Sequence, residues 1–294
     1  YGARVLSASS DMSLAVYDGK DGSEAASKKL HQGSIFGAAW SPDSARIATA
    51  SADKTVGIFD AATLDEVAAV SLGTRVEDMQ VGCIWMAEGI VSYSLGGALS
   101  IVDPANPSAP PRVQVGHNRP IASGVYAPSV GRYITGSFAS ISDSAAPRGV
   151  MRSWDLGEGV AAPFAGEAEH SSRIVKMVLT AAGSLVSVGL DDAAVWSNVS
   201  PPAAYAKVAL DACPTDLSAG GDICLALTAN SEVLVLGAAK VDARQKLAFD
   251  ATWVVTRILG LDLQIKGKKK TAWSGVFWEG ADERDVQGYE LKMP

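Results

Sequence analysis

The sequence predicts an all-β protein of repeated four-stranded antiparallel units. Three observations predict it: internal self-similarity, alternation within each copy, and evenly spaced histidines. Four segments share one plan, in which a small-residue strand, a tight polar turn and an alternating strand end in an aliphatic or aromatic residue plus Asp. They are RVLSASSDMSLAVYD (4–18), RIATASADKTVGIFD (46–60), GIVSYSLGGALSIVD (89–103) and, around an insertion, RYITGSFAS and GVMRSWD (132–155). SLVSVGLDDAAVWSN (184–198) and ICLALTANSEVLVLG (223–237) are weaker copies. Each reads as two strands and a hairpin, because apolar residues alternate and Asp, Gly or Asn separates the runs.

A further strand precedes most hairpins: SIFGAAWSPD (34–43), MQVGCIWMAEG (79–89), ASGVYAPSVG (122–131) and IVKMVLTAAG (174–183). His31, His117 and His170 mark the starts of such units. His31 and His117 stand 86 residues apart, two periods of about 43. His117 and His170 are 53 apart, the excess being the insertion SISDSAAPRG (140–149). Four strands in a period of about 43 are the pattern of WD-repeat β-propeller blades, here an incomplete ring. No helical period is sustained.

Composition narrows the function. Of 294 residues 48% are hydrophobic and 19% charged, enough apolar surface for a core and too little charge for a disordered chain. Twenty-five basic against 32 acidic residues give a net charge of −7, which argues against a nucleic-acid binder. No apolar run reaches the roughly 18 residues of a membrane span. Cys83, Cys213 and Cys224 are scattered, without CxxC spacing, as expected of reduced thiols in a cytoplasmic protein. The chain starts at Tyr1 in mid-repeat without a secretory signal and reads as a fragment. With the first copy's leading strand missing, its ends are expected to be open and to self-associate.

Beyond about Ile258 the repeat fades into LGLDLQIKGKKKTAWSGVFWEGADERDVQGYELKMP, which reads as a degenerate blade, a separate appendage or sequence foreign to the array, without the alternation of a strand pair that could close a ring. The organisation read from the sequence is therefore 1–200, the last blades of one propeller, then 201–257, the weakly patterned start of a second, then a divergent tail at 258–294. Pro201 and Pro202 mark the expected junction.

The repeats also supply the candidate residues. Asp11, Asp53, Asp191 and Asp192 sit in hairpin turns, and His31, His117 and His170 at unit starts. As acid–base groups they would be catalytic. As turn acceptors and loop anchors, joined to a Ser or Thr of a neighbouring strand, they form a structural network, and that is the reading adopted. The histidine separations match no zinc spacing. There is no GxSxG elbow, and Gly260 and Gly267 lie too far apart for a phosphate loop followed by GK[ST]. No enzyme activity, metal or cofactor is expected. Lys268, Lys269 and Lys270 are candidate contacts to a phosphate, acidic lipid or actin, against the plainer reading of a solvated loop. Trp273 and Trp278 are candidate partner anchors, against packing on a neighbouring blade.

HQGSIFGAAWSPDSARIATASADKTVGIFD (31–60) reads as a WD repeat, and VGCIWMAEGIVSYSLGGALSIVDPANPSAPPRVQVGHNRPI (81–121) is more distinctive. The latter, with its GC-I-W strand, VS-SL-G hairpin and GHN-PI start, is similar to the actin-interacting protein 1 family, as is YDGKDG (17–22). The resemblance runs over roughly residues 1–250 and is strongest over 1–121. It implies paired seven-bladed propellers, binding to actin filaments, disassembly of cofilin-decorated filaments, restraint of their barbed ends and a place on the cytoplasmic actin cytoskeleton. It assigns no actin-contacting residue to this chain. The alternative is a WD-repeat scaffold for another complex.

Overall fold

The computed structural model describes residues 3–137, 149–156, 161–164, 170–190, 193–220, 223–230, 232–246, 255–260, 271–278 and 287–292. Within them, 26 strands form seven sheets in chain order. The first has three strands, β1 (Arg4–Ala8), β2 (Ser13–Asp18) and β3 (Glu24–Lys29). The second holds β4 (Ile35–Trp40), β5 (Arg46–Ser51), β6 (Thr55–Asp60) and β7 (Glu66–Ser71). The third holds β8 (Gln80–Met86), β9 (Gly89–Ser94), β10 (Ala98–Val102) and β11 (Arg112–Val115). The fourth holds β12 (Ile121–Ala127), β13 (Arg132–Ser137), β14 (Val150–Trp154) and β15 (Ala161–Pro163). The fifth holds β16 (Ile174–Leu179), β17 (Ser184–Gly189), β18 (Ala193–Val199) and β19 (Pro202–Ala209). The sixth holds β20 (Pro214–Gly220), β21 (Ile223–Thr228), β22 (Glu232–Leu236) and β23 (Val241–Lys246). Last come β24 (Val255–Gly260), β25 (Thr271–Trp278) and β26 (Gln287–Lys292). The fold class read from the sequence, all-β with four-stranded antiparallel sheets of blade type, is the one observed.

The chain divides into two compact units, Tyr1–Ile121 with Asp155–Ala161, and Ala122–Trp154 with Ala162–Pro294. The boundary expected at 200/201 falls inside the fifth sheet, where Pro202 opens β19, whereas the units part at 121/122. Among the described residues of the tail, the expected lack of a strand pair is corrected, and of the three alternatives the degenerate blade is the one that fits. Residues 255–260, 271–278 and 287–292 pair as β24–β25–β26, with Ile258 opposite Val276 and Gly275 opposite Gly288. Their β-branched and aromatic content favours strands, but the long lysine-rich interval between β24 and β25 hides the hairpin.

Central strands are buried on both faces because the sheets stack. In the first unit Leu14 and Val16 pack with Ile35, Ile47 and Leu64 of the second sheet. Ala48, Val56 and Ile58 pack in turn with Ile90 and Val102 of the third. In the second unit Ile134 and Met151 meet Ile174, Met177 and Leu185. Burial of this kind contributes about 1.5–3 kcal/mol per large side chain. Closely packed glycines let the inner strands approach: a Cβ on Gly37 would stand 2.7 Å from Gly82 Cα.

An arginine clasp repeats between neighbouring sheets of the first unit. Arg4, the first residue of β1, lies 4.7 Å from the Trp40 ring centroid. It donates to Ala61 O at 3.0 Å and Ser44 O at 2.7 Å. Arg46, the first residue of β5, lies 5.5 Å from the Trp85 ring and reaches Pro104 O at 3.4 Å. Arg46→Ala is expected to cost about 0.5–1 kcal/mol in urea denaturation. Arg46→Lys should recover only part of the loss, because lysine lacks the planar fork. Full recovery by lysine would reduce the clasp to charge alone.

Candidate functional site

The densest polar cluster lies at one end of the second sheet. The turn between β5 and β6 carries Asp53, and the loop entering β4 carries His31. Lys54 adopts the left-handed conformation (φ 73°) that closes this turn. Asp53 Oδ1 accepts from Thr55 N at 3.0 Å and Thr55 Oγ1 at 2.7 Å. Its Oδ2 accepts from Gln32 N at 3.0 Å and lies 2.8 Å from His31 Nδ1. His31 Nε2 is 2.6 Å from Thr49 Oγ1, and its ring stands edge-on to Phe59 at 5.9 Å. Burial pushes the Asp53 carboxyl up, but the Thr55, Gln32 and His31 hydrogen bonds outweigh it and hold the group below its ordinary value.

Thr49, His31 and Asp53 stand in the hydroxyl–imidazole–carboxylate order of a catalytic triad. Thr49, however, is 0% exposed and His31 6% exposed, so no substrate carbonyl reaches the hydroxyl. The arrangement ties a loop and a turn to the centre of a sheet.

Other sheets vary the theme. His170 is fully buried, with Nε2 2.8 Å from Ser187 Oγ. Asp191 and Asp192 lie outside the described residues. His117 is buried beside the β9–β10 turn, where a Cβ on Gly97 would stand 2.7 Å from its own. Asp11 serves its own hairpin, accepting from Ser13 N at 2.8 Å and from the Ser13 hydroxyl. In the third sheet Gln80, the first residue of β8, makes the hydroxyl contact that His31 makes in the second. Its Oε1 accepts from Ser92 Oγ at 2.6 Å and its Nε2 donates to Asp78 O at 2.7 Å.

The hydroxyl partners escaped residue-level sequence reading, although a signal was present. Thr49, Ser92, Thr135 and Ser187 are each the fourth residue of their strand, β5, β9, β13 and β17. Lys268, Lys269 and Lys270 lie outside the described residues, while Trp273 and Trp278 sit on β25 opposite Glu290 and Val255. Among the described residues no group of three or more His, Cys, Asp or Glu is placed to hold a metal ion. No helix there is long and apolar enough to cross a membrane. None of the three cysteines is in a disulfide, and burial pushes the Cys83 thiol up to about 12.

The WD domain, G-beta repeat family matches residues 23–60, a stretch that contains the whole His31–Thr49–Asp53 network. WD repeat-containing protein 1 of Xenopus tropicalis is 32% identical over 257 residues, 85% of this chain and 41% of that protein. WD repeat-containing protein 1 of Gallus gallus is 32% identical over 202 residues, 68% of this chain and 32% of that protein. Actin-interacting protein 1 of Drosophila melanogaster is 33% identical over 129 residues, 44% of this chain and 20% of that protein. The chain is similar to proteins of the actin-interacting protein 1 family over most of its own length. It spans about two fifths of the length of the Xenopus relative. In the second sheet Phe59 stands near the end of β6, two residues beyond Gly57, which faces Thr49. Trp154 holds the same register on β14, two residues beyond Arg152, which faces Thr135, and donates from Nε1 to Thr135 Oγ1 at 2.6 Å.

Proposed function

We propose that this chain is part of a non-enzymatic WD-repeat protein that binds actin filaments, acts with cofilin to disassemble them and restrains their barbed ends. The observation that carries the proposal is its kinship with a protein named actin-interacting protein 1. The segment that bears the resemblance most distinctively, 81–121, folds into the third sheet and the loop entering the fourth. The burial of Thr49 and His31 supports a binding role over a catalytic one. On this reading the protein works in the cytoplasm, along the actin cytoskeleton.

Co-sedimentation of the 294-residue chain with bare and cofilin-coated actin filaments tests it. The expected result is pelleting with filaments, stronger on the coated ones. Absence from both pellets would overturn the assignment of binding to these sheets and favour a scaffold for another complex.

A further inference from the structure

We draw no further inference here: the strongest candidate, the apolar surface patch where the bulges at the starts of β4 and β8 leave Phe36 and Val81 outside the strand pairing, with Phe36 52% exposed, carries nothing because nothing in the structure shows what covers it.

Discussion

Asp53→Ala is expected to lower the unfolding free energy by about 1–3 kcal/mol, the range for leaving buried donors without an acceptor. Four donors lose their partner together: Thr55 N, Thr55 Oγ1, Gln32 N and His31 Nδ1. His31 suffers most, because its ring is nearly inaccessible to water and its position fixes the Thr49 contact. Asp53→Asn should lie between alanine and wild type, since one amide oxygen still accepts while the amide nitrogen faces a donor. The pH dependence has a definite sign. The folded state holds Asp53 below its ordinary value, so its contribution is complete above the ordinary carboxylate range and is lost as pH falls through the depressed folded value. The gap between wild type and Asp53→Ala in urea denaturation should therefore be constant near neutrality and shrink in acid. Folded Asp53→Ala should still bind filaments. A variant with wild-type melting but no filament binding would instead make this a contact site.

The hairpins are legible in the sequence because both of their strands are central. RIATASADKTVGIFD reads directly as β5 and β6, since its apolar residues are buried on both faces and its only polar run is the turn. The same holds for SLVSVGLDDAAVWSN, which spans β17 and β18. Outer strands carry no such signal, and their composition explains it. β3 is EAASKK and exposed along most of its length, so burial imposes no alternation on it. β11 is hidden likewise, since Pro110 and Pro111 make the approach to it look like loop. The His31–Asp53 pairing is legible from spacing within the repeat. Gln80 is not, because glutamine carries no signature of its own and its role emerges only when the fold brings the Ser92 hydroxyl within hydrogen-bond reach.

Trp154→Ala is expected to cost more than the loss of the Asp53 carboxylate, about 3–5 kcal/mol in denaturant unfolding. The side chain is 0% exposed and among the largest that are fully buried, so truncation leaves a cavity that a stacked sheet fills poorly. It also leaves the buried Thr135 hydroxyl without the indole N–H. Trp154→Phe separates the two losses, and the protein already contains the comparison. Phe59 occupies the corresponding register of the second sheet, where the threonine bonds to His31 instead. A phenyl ring is thus compatible with this position, and the phenylalanine variant should lose about 1 kcal/mol, the worth of one hydrogen bond. In the fifth sheet the aromatic has left this position. There Ser187 faces Val195, and the residue two further on is Ser197, while Trp196 stands opposite Val186, the register that Ile58 holds opposite Ala48, and so on the other face of its strand. Trp196 Nε1 and Ser197 Oγ are then buried without a hydrogen-bond partner. The fifth sheet thus has no aromatic ring at the register of Trp154, and it still forms four paired strands. Ring volume is expected to outweigh the hydrogen bond at Trp154, because the loss of a buried ring costs about 3–5 kcal/mol and the loss of one hydrogen bond about 1 kcal/mol. Equal destabilisation by Trp154→Ala and Trp154→Phe would show that the indole N–H, and not the ring's volume, holds the fourth sheet together.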